Sequence, residues 1–166
     1  MKIGEEYFQR LLDGGEDDCS AVHELDALWC ARPGRSESNQ WFGLSRPEFD
    51  VHLVLHYLGE VGNGGHQQYF LNPVGRYAAA TLDALRRAGL SEVHATLVEA
   101  CGVFPGGHIP PDTTDRRDVV EQLDDDGLSL LSRMDGRVFS LATRGWSQLL
   151  RYLRDNEADV LTQERA

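Results

Sequence analysis

His52, His56 and Glu60 form an i, i+4, i+8 row of donors, and two histidines four apart on a helix can hold a divalent metal. The pattern departs from a hydrolytic zinc helix, which needs a glutamate directly after the first histidine; here that place is Leu53. A third ligand on the same helix would also strain a tetrahedral shell. The row is read as a satisfied polar stripe on an otherwise apolar helix. Gly62-Asn63-Gly64-Gly65 could cradle a phosphate through backbone amides, but phosphate loops follow a strand and the P-loop carries a lysine. Here a helical pattern precedes and no lysine comes after. Cys19, Cys30 and Cys101, with six histidines in the chain, show no local nucleophile signature and read as core thiols. No catalytic residue, no metal site and no cofactor is expected.

The remaining chemistry is acidic. The chain carries 27 acids against 16 bases, a net charge of −11. Residues 1–60 hold 12 acids and 5 bases, residues 61–111 hold 3 of each, and residues 112–166 hold 12 and 8. Such a balance disfavours direct nucleic-acid binding, which needs a basic footprint. On a helix expected over residues 115–126, Asp115, Asp118, Glu121 and Asp125 fall within roughly 120° of one another, opposite Val119, Val120 and Leu123. The row spans ~15 Å, whereas duplex DNA carries a charge every ~1.7 Å, so one row is too sparse to imitate a duplex. Further carboxylates would have to come from Glu5, Glu6, Asp13, Glu16, Asp17 and Asp18. Plain solubility is the competing reading of the same charge.

Helical periodicity supplies the elements that must position these groups. Ile3, Tyr7, Phe8, Leu11 and Leu12 share one face, and the run from residue 13 to 18 ends that helix in an acidic turn. A second helix starts near Ser20 and packs through Val22, Leu25, Leu28 and Trp29; residues 32–44 form a loop. Ser45-Arg46-Pro47-Glu48 is a capping box with proline in the first turn, and Val51, Leu53, Val54, Leu55, Tyr57, Leu58 and Val61 then wrap most of a buried central helix. Gly62 or Asn63 is expected to close it, and Asn63 to cap the next element, with Glu60 accepting from the freed amides. Asn72-Pro73 starts another helix that Gly89 stops, and Ser91 caps the next. Residues 105–111 are a loop, and Asp112 or Thr114 begins a helix running to Gly127. A short segment over 128–134 leads to a break at Asp135-Gly136, before a last helix with Trp146, Leu149, Leu150 and Leu153. No period-two run is long enough for a sheet. The expectation is an all-α fold, a single domain over residues 1–166 with about eight or nine helices.

The 166 residues suit one domain, and 41% hydrophobic with 26% charged content is an ordinary globular composition. No apolar run reaches the roughly 20 residues that span a bilayer, and Met1-Lys2-Ile3-Gly4-Glu5-Glu6 has no apolar leader core. Three cysteines without a C-x-x-C pair point to free thiols, so a cytoplasmic location is expected.

The pattern Glu60-x-x-Asn63-Gly64-Gly65-His66-Gln67-Gln68-Tyr69-Phe70-x-Asn72, with Gly75 and a helix over 77–89 after it, resembles the signature of the DNA-mimic protein family, an acidic bacterial group. Gly62 stands where that signature has an asparagine, and His66 where it has an aromatic. Phe104-Pro105, residues 135–139 and Leu149-Leu150-x-Tyr152 are similar too, so the likeness covers about residues 45–157. The resemblance implies an all-helical protein; in one type of member, carboxylates stand in for phosphates on the DNA-binding surface of a transcription repressor. The expected function is a non-enzymatic acidic regulator that binds a basic DNA-binding protein such as a transcription regulator, without binding nucleic acid or membrane, and compatible with a homodimer. The expected contact residues are Glu16, Asp17, Asp18, Asp115, Asp118, Glu121, Asp124 and Asp125. Glu60, Asn63, Gly64, Gly65, Gln67, Tyr69 and Phe70 are read as structural. The alternative is an immunity-type or other protein-binding domain that works through a neutral groove lined by Glu60, Asn63, Gln67 and Tyr69.

Overall fold

The computed structural model describes residues 5–13, 19–31 and 43–160. Among them every regular element is helical, as the 3.6-residue periodicity requires: α1 (Glu5–Leu12), α2 (Cys19–Cys30), α3 (Arg46–Leu71), α4 (Ala78–Arg87), α5 (Ser91–Ala100), α6 (Thr113–Glu121) and α7 (Asp125–Asp155). Short 3₁₀ turns lie at Pro73–Tyr77, Cys101–Val103 and Pro105–Gly107. The acidic turn with Glu16, Asp17 and Asp18, and all but the end of the loop expected over 32–44, lie outside the described residues.

The chain forms two compact units, Met1–His52 with Thr143–Ala166, and Leu53–Ala142. In the first, α1 packs on α2, whose Ala21, Val22, Leu25 and Trp29 are buried, as are Leu149, Leu150 and Leu153 late in α7. Tyr152 donates its hydroxyl to buried Asp50 at 2.7 Å. In the second, α4 packs on α5, and a chain of aromatic rings fills the centre: Tyr57 meets Tyr69 edge-on at 5.0 Å, and Phe70 meets Phe104 edge-on at 4.9 Å.

α3 starts at its capping box, but only half of the box forms. The Ser45 backbone N–H donates to Glu48 Oε2 at 2.8 Å, whereas Ser45 Oγ has no partner among the described residues. All seven apolar residues expected on its core face are buried. The break comes later than expected: helical geometry continues through Gly62 and Asn63, and fails at Gly64 (φ −158°) and Gly65 (φ +74°, ψ −177°). Asn72 does not cap the next element with its side chain, which turns back to Glu60 instead. Gly89 (φ +74°) stops α4 in a Schellman motif, with Leu90 N–H donating to Leu85 O at 2.9 Å and Gly89 N–H to Arg86 O at 3.2 Å. Ser91 is already inside α5, and Leu90 takes the capping position.

Two further expectations are corrected. The helix predicted over 115–126 is two helices: α6 begins at Asp112, whose carboxylate accepts from Thr114 N–H and Asp115 N–H, and it stops at Glu121. Asp124 then caps α7 by accepting from Gly127 N–H at 2.9 Å, so a local side-chain bond replaces continued helix. Conversely, α7 runs unbroken through Asp135-Gly136 for 31 residues. Leu131, Met134, Val138, Leu149 and Leu153 stay in helical phase and are buried, and that burial outweighs the ~1 kcal/mol propensity cost of an interior glycine.

Candidate functional site

The kink within α3, at Gly64-Gly65, is built around His66, which is fully buried. The turn at Gly64-Gly65 points both its backbone N–H and its ring at one carboxylate oxygen: Asp135 Oδ1 accepts from His66 N–H at 2.8 Å and from Nδ1–H at 2.6 Å. With Nδ1 carrying the proton, Nε2 accepts from the Tyr57 hydroxyl at 2.7 Å. The order hydroxyl, imidazole, carboxylate resembles a catalytic relay in its connectivity. Its electrostatics are those of a core. Burial pushes the Tyr57 hydroxyl well above its ordinary range and pulls the His66 imidazole below 6.5, against the opposing pull of the Asp135 bond. A neutral tyrosine and a neutral histidine, both closed to solvent, can hold each other but cannot reach a substrate.

The rest of the motif is consumed in the same way. Glu60 Oε2 accepts from Gln68 Nε2 at 2.7 Å and Asn72 Nδ2 at 2.8 Å, so side-chain amides, not the backbone amides expected, occupy it. Tyr69 donates to Thr81 Oγ1 at 3.1 Å and is fully buried. Phe70 is fully buried too, and its carbonyl receives Nε of Arg116 at 3.0 Å. Arg116 further donates to Asn72 O, Pro110 O, Pro111 O and Thr113 Oγ1, so its hydrogen bonds all go to neutral oxygens, while burial lowers its pKa against the opposing pull of the nearby Asp112 carboxylate. Gly75 makes that approach possible, since a Cβ there would sit 2.6 Å from Tyr69 O and 3.1 Å from Arg116 Nε. Of the four residues expected to line a neutral groove, Tyr69 is buried, Glu60 is half-buried with both bonds filled, and Asn63 and Gln67 are exposed.

Sequence reasoning missed His66, Asp135, Tyr57 and Arg116 as a set. A signal was present for two of them. Asp135 falls in phase with the buried Leu131 and Val138, and Arg116 with the buried Val120, so each is a charged residue on an apolar face.

The His52, His56 and Glu60 row does not act as one stripe. His52 is buried against Asp26 and Cys30, His56 is exposed, and Glu60 serves Gln68 and Asn72. Cys101 is buried, and burial pushes its thiol up to about 12, which makes it inert as a nucleophile.

The acidic face is rearranged but exposed. Asp115, Asp118 and Glu121 lie on α6, Asp124 in the turn after it, and Asp125 and Asp126 in the first turn of α7, all exposed. At 100° per residue the three acids of α6 centre about 200° from Arg116, on the side away from its buried guanidinium. None of Asp115, Asp118, Glu121, Asp125 and Asp126 forms an ion pair among the described residues, in contrast to Asp83 with Arg86 at 2.8 Å and Glu99 with Arg137 at 2.7 Å. Asp125 and Asp126 also complement the α7 macrodipole.

Residues 43–156 match the family model described as DMP19-like protein. No curated protein and no solved structure matches the chain. Among the described residues no helix is long and apolar enough to cross a membrane.

Proposed function

The chain belongs to the DMP19-like protein family, a DNA-mimic type and not a known enzyme family, and from that premise we propose that it is a non-enzymatic acidic regulator. It binds the DNA-contacting surface of a basic protein such as a transcription regulator. The observation that carries this reading is the stretch over residues 112–126, where seven exposed carboxylates face solvent with one exposed base, Arg117, because Arg116 is committed to the interior. On α6, Asp115, Asp118 and Glu121 give one carboxylate per ~4.5 Å of helix axis, near the ~3.4 Å phosphate rise along one DNA strand. With no ion pair to another described residue, their charge is left available to a partner, and such a surface speeds encounter and makes binding salt-sensitive.

The test is capture of partners from cell extract on the immobilised protein at low and high salt, with duplex DNA as competitor. Captured DNA-binding proteins should be released by salt and displaced by duplex. They should also be lost when Asp118, Glu121 and Asp125 are all changed to lysine. Undiminished capture by that variant would refute the surface assignment.

A further inference from the structure

Cys30 and Asp26 lie four apart on α2 and so share a face, and His52 of α3 comes to that face within the same compact unit. His52 Nδ1 is 2.5 Å from Asp26 Oδ1 and 3.7 Å from Cys30 Sγ, and one donor atom from each residue falls within 4.8 Å of the others. The cluster is sheltered: His52 is 2% exposed, and Asp26 and Cys30 are half-buried. A buried histidine satisfied by a carboxylate would need only the Asp26 contact. The thiol on the same ring nitrogen is the additional feature, and thiolate, imidazole and carboxylate together are the donor set of zinc.

We propose that Asp26, Cys30 and His52 form a three-residue site for Zn²⁺, with a fourth position for water or a donor from another molecule. With Zn–S near 2.3 Å and Zn–N near 2.0–2.1 Å, tetrahedral geometry sets sulfur and nitrogen about 3.5 Å apart, close to the separation already present. The carboxylate and imidazole need about 3.3 Å, so Asp26 has to withdraw by about 0.8 Å as its hydrogen bond to the ring is exchanged for a metal bond. The balance is simple. The Cys30 S–H bond breaks, its proton leaves to solvent and sulfur bonds the ion. The His52 ring proton moves from Nδ1 to Nε2, which frees the Nδ1 lone pair. One proton is therefore released per ion bound, and the ion ties α2 to α3.

The experiment titrates the full-length apo protein with Co²⁺ as an optical probe and then displaces it with Zn²⁺. One equivalent of cobalt should give a thiolate-to-metal charge-transfer band with four-coordinate visible bands, bleached by one equivalent of zinc with release of one proton. Cys30→Ser should abolish the charge-transfer band and weaken zinc at least tenfold, while Cys19→Ser and His56→Asn should bind as the parent does. Asp26→Asn keeps an acceptor for the ring and guards against a misfolded cysteine variant; it should retain the thiolate band and weaken zinc at least tenfold. Absence of a cobalt spectrum, a spectrum without the thiolate band, loss of the site in Cys19→Ser or His56→Asn, or undiminished zinc affinity in Cys30→Ser or Asp26→Asn would each overturn the assignment.

Discussion

Gly62 and Gly65 lie three residues apart at the kink within α3, and alanine at each should act with opposite sign. At Gly65 the backbone holds φ +74° and ψ −177°, a region that costs an L-residue about 1–3 kcal/mol. A Cβ there would also sit 2.4 Å from Asp135 Oδ2 and 3.2 Å from Oδ1. The carboxylate must retreat by about 1 Å to restore ordinary contact, away from the two N–H groups of His66 that its Oδ1 accepts. Loss of one charge-assisted bond to a buried group costs about 1.5–3 kcal/mol, so Gly65→Ala should cost about 3–5 kcal/mol in all, a large share of a domain's stability. At Gly62 the helix is regular and an added Cβ meets nothing within 4 Å, so Gly62→Ala should stabilise by about 0.5–1 kcal/mol. Urea denaturation monitored by far-UV circular dichroism measures both; tryptophan emission is less suitable, because Trp29 and Trp146 belong to the other compact unit. The Asp135→Ala background removes the clash and should shrink the penalty at Gly65 to its backbone part. A Gly65→Ala cost below about 1 kcal/mol, or an equal cost at Gly62, would refute this account of the junction.

The same junction sets two other outcomes. Because burial holds the His66 pKa below 6.5, the unfolded chain takes up the proton first on acidification. The stabilisation is complete above pH 6.5 and is lost as pH falls from there through the lower folded value, so the urea midpoint should drop between pH 7.5 and 5.5; an equally steep drop in His66→Gln would exclude His66 as the cause. Arg116→Lys replaces a fork that reaches five oxygens with three donors, leaving at least two buried or part-buried acceptors unfilled. About 2–4 kcal/mol should be lost, seen as a melting temperature lower by about 5–15 °C, and a shift under 3 °C would mean that water fills the gap.

The fold class was legible because the driving signal, apolar residues at helical spacing, is local. So were the ends that local chemistry sets: the Glu48 half of the capping box, the Asp112 cap and the Gly89 stop. The break in α3 was misplaced because composition says which residues can take a positive φ, not which one does. Gly65 is chosen by Asp135, seventy positions later in the chain, a contact that no window of sequence contains. The same contact explains why Asp135-Gly136 does not end α7: its carboxylate is engaged with His66, so it does not compete for the backbone of its own helix. On α6 the error ran the other way, since Asp124 spends its side chain on a local cap and divides what periodicity joined.

Signature and surface are joined through one residue. The motif's own carboxylate, Glu60, accepts from Gln68 and Asn72 through Oε2, and its histidine and tyrosine are sealed inside, so the exposed acids of the proposed surface lie outside it. Arg116 links the two: its guanidinium seats α6 on the carbonyls of Phe70 and Asn72, which end the motif, and the helix geometry then turns Asp115, Asp118 and Glu121 to the opposite side. A rigid seat with a free outer face separates what must be kept from what can vary. Exposed positions on α6 can change charge at little cost in stability, whereas a change at Gly75 or Arg116 would disturb the seat of α6, and one at Gly65 the Asp135 contact in the core.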